Sequence, residues 1–160
     1  MKTVTESFEY KVYASQEEMS KADADLMAQA VIQLDNAYAP YSQFHVGAAV
    51  RLVDGSVYIG SNQENASYPL CMCGERVALY NAGANKPNVA VESLAITIKN
   101  QKMSIDKPVS PCGACRQVIS EFENRHQHHI RILLKSDGPE VYELNSVADI
   151  LPLGFNGTFL

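Results

Sequence analysis

The chain has 160 residues, 46% of them hydrophobic, with a formal charge of −5 and a pI near 5.3. That length and apolar content suit one domain around one buried core. The basic residues are scattered, so nothing tracks a polyphosphate backbone, and polymeric nucleic acid is not an expected partner.

The N-terminus, "MKTVTESFEYKVYASQEEMS", lacks the apolar core of a secretion signal. No stretch approaches the ~18 consecutive apolar residues of a membrane span. A cytoplasmic location is therefore expected, with no membrane partner. In a reducing cytosol, the four cysteines are metal ligands or catalytic groups sooner than disulfides.

In chain order, "FEYKVY" alternates like a short strand. From Ser20 to Tyr38, apolar residues at Leu26, Met27, Ala30, Val31 and Leu34 recur at helical spacing; Ser20 and Asp23 form a cap, and Pro40 ends the segment. "HVGAAVRLV" and "SVYIG" flank Asp54-Gly55 and predict a hairpin over 45–60. Residues 73–82 predict a helix with Gly83 as its stop.

"ESLAITIK" reads as a strand and "CGACRQVISEFENR" as a helix with Val118, Ile119 and Phe122 on one face. "IRILLK" and "EVYEL" then read as strands around Asp137-Gly138. Ser146 to Leu151 reads as a short last helix, with Ser146 and Asp149 at capping-box spacing. Alternating strands and helices define an α/β class with helices packed on a central sheet. Residues 1–19 read as an N-terminal extension and 20–160 as the domain proper.

Chemistry concentrates in the cysteines. Cys112 and Cys115 form a CxxC directly after Pro111, at a predicted helix start, where both sulfurs share a face and the helix dipole favours thiolates. Taken alone, the pair reads as metal ligands, a redox dithiol or two small buried hydrophobes. The redox reading is weakened because the motif lies two-thirds of the way along the chain. Metal binding also explains a third cysteine beside a carboxylate at another helix start, in "CMCGER".

Zinc takes four tetrahedral ligands, and pairs that hold structural zinc are typically separated by two to four residues. Cys71 and Cys73 have one residue between them, and at helical pitch they diverge by more than half a turn. Cys73 is the expected ligand and Cys71 packing. Cys73, Cys112 and Cys115 then leave a position for water. Zinc lowers the pKa of bound water from 15.7 to about 7, and Glu75 is the nearest carboxylate to move its proton. Three thiolates make such water less acidic. Arg76 either offsets their charge or is a solvated helix residue.

CxE followed by PCxxC is the zinc-deaminase pattern. "AYAPYSQFHVGAAV" (37–50), "NQENASYPLCMCGERVALY" (62–80) and "PVSPCGACRQVISE" (108–121) together resemble the small, homotetrameric, three-cysteine cytidine deaminases. The resemblance implies a three-layer α-β-α fold with a central mixed sheet of about five strands. It also implies zinc on Cys73, Cys112 and Cys115, with Glu75 as the proton shuttle and Arg76 hydrogen-bonded to ligand sulfurs.

For the substrate, the resemblance places Phe44 against the pyrimidine, Asn62 and Glu64 on the ribose hydroxyls, and Gly74 among the substrate-contacting positions. Ala66 and Tyr68 reach a neighbouring subunit's site, and Phe155 closes over an adjacent one. The implied reaction is hydrolytic deamination of cytidine and 2′-deoxycytidine at C4, in pyrimidine salvage. Water adds at C4, Glu75 carries protons to N3 and the amino group, and ammonia leaves; carbonyls near Ser110 to Cys112 hold the exocyclic amine.

One departure stands out. Gly74 occupies a position where alanine is common, so the expectation is extra backbone freedom beside Glu75. The rival from another class is a structural zinc protein using all four cysteines. Polynucleotide, free base and aminonucleoside antibiotic are the alternative substrates. "RHQHH" at 125–129 falls at a helix C-terminus, where cations suit the dipole. His45 is expected to be a strand residue with no assigned role.

Overall fold

The structure is a computed structural model that describes residues 1–157. Among the described residues, β1 (Lys11–Tyr13), β2 (Phe44–Leu52), β3 (Val57–Ser61), β4 (Val91–Asn100), β5 (Arg131–Lys135) and β6 (Val141–Leu144) form one sheet in the order β1-β6-β5-β4-β2-β3. The pair β4–β5 is parallel and every other pair antiparallel. The mixed sheet agrees with the expectation. The sixth strand is the edge strand β1, to which the N-terminal extension contributes three residues.

Among the described residues, three α-helices complete the layers. Helix α1 (Lys21–Ile32) covers one face, while α2 (Gly74–Asn85) and α3 (Gly113–His126) cover the other. Strand alternation explains the division. Ala49, Ala95, Leu133 and Val141 point to α1, and Val50, Leu94, Ile96, Ile132 and Leu134 point to the α2/α3 side. The α1 face is lined by directly paired small residues, Ala49 opposite Ala95, which lets that helix lie close. Each fully buried leucine or isoleucine contributes roughly 1.5–3 kcal/mol.

The predicted punctuation holds at most boundaries. Ser20 caps α1 by accepting from the Asp23 amide at 3.2 Å, and a 3-10 turn over Gln33–Asn36 extends the helix toward Pro40. Ser146 and Asp149 form a complete capping box on the 3-10 turn Val147–Ile150. Gly83 is the exception, because α2 runs through it to Asn85. A Cβ there would sit 3.1 Å from Phe122 Cζ, so this glycine makes room for α3 and does not end the helix.

Beneath α1 lies a buried ionic group. Asp23 pairs with Arg51 at 2.8 Å and Arg131 at 2.6 Å. Glu143 accepts from Tyr13 Oη at 2.6 Å and Lys11 Nζ at 3.0 Å. Burial raises the pKa of both carboxyls. Hydrogen bonds outweigh it, from Arg51, Arg131 and Ser20 on Asp23 and from Tyr13 and Lys11 on Glu143, so both lie below their ordinary values. The hydrogen bond to Glu143 pushes Tyr13 up to about 12.

The lowered carboxyls contribute stability that is fully present above their unfolded pKa values, 3.8 and 4.5, and is lost as pH falls through the folded ones. Tyr13 acts on the alkaline side: its contribution is full below 10 and is lost as pH rises toward 12. Urea unfolding across pH should show both flanks, and Asp23→Asn should flatten the acid one.

Candidate active site

Strand β3 feeds α2, and the loop after β4 feeds α3, so the two helices on this face begin side by side. Cys73 is the N-cap of α2 and Cys112 the N-cap of α3, with Cys115 in the first turn. Their three sulfurs lie within 4.8 Å of one another, and Cys112 Sγ is 3.3 Å from Cys115 Sγ. A tetrahedral zinc with Zn–S bonds of ~2.3 Å has ligand edges of ~3.8 Å, which this cluster spans. Two helix N-termini aim their positive ends at the thiolates.

Cys115 is fully buried and Cys112 exposed, so the cluster opens to solvent on one side. A hydrogen bond from Cys115, with Arg76 adding to it, draws the Cys73 pKa down to about 5 despite burial. Cys115 is raised in return, by that hydrogen bond and by burial.

Glu75, in the first turn of α2, is 3% exposed. Burial, and then the Cys73 charge, push its pKa upward. Its Oε2 is buried and has no protein hydrogen-bond partner. An orphan carboxylate oxygen beside three gathered thiols points to a non-protein group at this place. The donor set and this oxygen both fit a zinc ion with an exchangeable water.

Arg76 reaches Cys73 Sγ at 3.8 Å and the Cys71 carbonyl at 3.2 Å through one nitrogen. Cys71 itself stands apart from the cluster. Its sulfur accepts from the Asn65 amide at 3.2 Å. The "RHQHH" stretch is also remote: Arg125 stacks on Phe122 at 4.7 Å, and His129 lies 3.6 Å from Glu123.

Gly74 does not supply the freedom expected of it. It is buried in the first turn of α2, and a Cβ would meet the Val46 carbonyl oxygen at 2.7 Å. The missing side chain lets α2 press onto β2, which fixes Glu75 more closely. Gly74→Ala should cost about 1–3 kcal/mol, read as a lower denaturant midpoint.

Phe44, half-buried at the start of β2, packs on the core edge. Asn62, itself buried, accepts from the Val46 amide and donates to the Phe44 carbonyl, both at 2.8 Å, which extends the β2–β3 pairing and uses one of its two amide hydrogens. Glu64 accepts from the Tyr41 and Ser42 amides at 2.8 and 3.2 Å. Both side chains are thus tied to the backbone around Phe44. His45 donates to the Leu34 carbonyl and accepts from Gln101.

Ala66, Tyr68 and Phe155 are exposed, with Tyr68 edge-on to Tyr41 at 6.1 Å. Arg116 and Gln117 have no role in the sequence reading, yet they touch the loop before Cys112 and the C-terminal segment. The sequence cue was their place directly after Cys115.

Three gathered thiols at paired helix starts, with a buried carboxylate beside them on a mixed sheet, define a zinc hydrolase centre. The family model "Cytidine and deoxycytidylate deaminase zinc-binding region" matches residues 20–128. A cytidine deaminase from Sporosarcina psychrophila is 39% identical over 131 residues, covering 82% of this chain and 89% of that protein. One from Halalkalibacterium halodurans is 46% identical over 99 residues, 61% of this chain and 69% of that protein.

Among solved structures, the cytidine deaminase of Burkholderia pseudomallei aligns with a TM-score of 0.72 at 37% identity, covering 86% of this chain and all of that one. The chain belongs to the cytidine and deoxycytidylate deaminase family. It is a zinc-dependent hydrolytic deaminase.

Proposed function

We propose that the protein converts cytidine and 2′-deoxycytidine to uridine and 2′-deoxyuridine with release of ammonia, as a cytoplasmic step of pyrimidine salvage. The observation that carries the reading is the buried, unpartnered Glu75 oxygen beside the three-thiol cluster. Cys73, Cys112 and Cys115 would hold the zinc, which would supply the Lewis acidity that makes a water nucleophilic at neutral pH.

The residues of the chain do the rest. Glu75, whose pKa burial raises, takes a proton from the attacking water and passes it to N3 of the ring. It then relays the second proton to the amino group, so that ammonia departs as the C4–N bond breaks. The water oxygen thereby becomes the product carbonyl, one of its protons stays on N3, and the other leaves with ammonia. Arg76 offsets thiolate charge at Cys73. Amides at the two helix starts face the negative charge that develops.

Phe44 packs against the pyrimidine. The second amide hydrogen of Asn62 and the carboxylate of Glu64 engage the ribose hydroxyls, which favours a nucleoside over a free base. The net charge of −5 disfavours polynucleotides. Exposed Ala66, Tyr68 and Phe155 belong to contacts in a homotetramer whose sites are shared between subunits. Zinc-loaded protein should release ammonia from cytidine and deoxycytidine in preference to cytosine or a cytosine-containing oligonucleotide. Equal or better rates on cytosine or the oligonucleotide would overturn the substrate assignment.

A further inference from the structure

Arg116 lies in the turn of α3 just after Cys115, where a cation faces the positive end of the helix dipole. Its head group is held there by two carbonyls. Nε donates to Pro111 O and Nη1 to Ile150 O, both at 2.7 Å. The neighbouring Gln117 donates from Nε2 to Phe155 O at 2.9 Å. Two consecutive side chains therefore link the loop that delivers Cys112 to the segment that carries Phe155.

That segment lies largely at the surface. Pro152 is exposed, Leu153 is 95% exposed with φ 55°, and the Phe155 ring is 56% exposed. Leu151 does pack at the core edge. The guanidinium fork can donate along two fixed directions at once, which a lysine cannot reproduce.

We infer that Arg116, supported by Gln117, is a positioning residue that locks the Pro111 loop and the C-terminal segment into one unit. The lock fixes the Pro111 carbonyl directly before Cys112, and Gln117 fixes the Phe155 carbonyl. The inference rests on the deaminase reading for its kinetic consequence, and on geometry alone for the coupling. Loosening either end loosens the other.

The test compares Arg116→Gln, Arg116→Lys and Gln117→Ala with wild type as zinc-loaded full chains. Hydrogen–deuterium exchange is followed in peptides spanning 108–115 and 150–157, beside zinc content and cytidine kinetics. Arg116→Gln should speed exchange in both peptides together. It should raise KM about tenfold while kcat changes less than about threefold, the pattern of lost ground-state positioning, with zinc still near one per chain. Arg116→Lys should resemble Arg116→Gln, and Gln117→Ala should loosen 150–157 with the fold intact.

Unchanged exchange in 150–157 for both Arg116→Gln and Gln117→Ala would overturn the inference, as would an Arg116→Lys protein indistinguishable from wild type. If Arg116→Gln does not fold, the Gln117→Ala and Arg116→Lys results decide. If wild type shows no turnover, the deaminase reading fails, while the exchange data still judge the coupling.

Discussion

Glu75→Gln should retain zinc at the wild-type level and lose about 10³-fold or more in kcat, at the upper end of what a general acid–base contributes. In the proposed mechanism the glutamate handles two transfers, first to the ring and then to the leaving amine, so no step in that proton path survives its loss. The substitution is close to isosteric. Glu75 is 3% exposed with one oxygen unpartnered, and a neutral amide there avoids burying a charge beside the Cys73 thiolate. The thermal midpoint should therefore not fall. A kinetic collapse without a stability cost separates a catalytic role from a structural one; steady-state rates, zinc analysis and thermal melts on one preparation measure all three.

Cys115→Ser has the second largest expected effect. Cys115 is fully buried, shares its hydrogen bond with Cys73, and lies 3.3 Å from Cys112. A serine hydroxyl replaces a thiolate poorly for zinc, and the two remaining sulfurs cannot close the site. Zinc content should fall below about a tenth per chain, with turnover falling alongside it and stability dropping because bound metal stabilises the fold. Cys71→Ser should leave zinc near one per chain, since its sulfur rests against the Asn65 amide, outside the cluster. Zinc loss on Cys71→Ser would restore the four-cysteine structural reading.

Much of this architecture is legible in the sequence because its signals are local. Asp54-Gly55 between alternating runs marks the β2–β3 hairpin, Ser20 and Ser146 mark helix starts, and the CxxC after Pro111 marks a helix N-terminus holding two thiols. Long-range contacts account for what was missed. Gly83 looks like a stop because a glycine near a helix end usually is one, and only Phe122 on another helix explains it. Gly74 looks permissive until the Val46 carbonyl is seen against it.

The site follows the same division. Cys73, Cys112, Cys115 and Glu75 are marked by spacing, and the successive connections β3–α2–β4 and β4–α3–β5 on one sheet face bring the two helix starts together. The hydrogen bonds of Asn62 and Glu64 to the 41–46 backbone, and the reach of Arg116 to Ile150, depend on how distant segments pack, which no local pattern encodes.

The most direct measurement is deamination of cytidine by the zinc-loaded protein in ¹⁸O-labelled water, with ammonia and uridine quantified together. One ammonia per uridine, and one labelled oxygen in each uridine base, is the predicted result. A zinc-replete protein that yields no ammonia, or uridine whose base carries no label, would contradict hydrolytic deamination at this site.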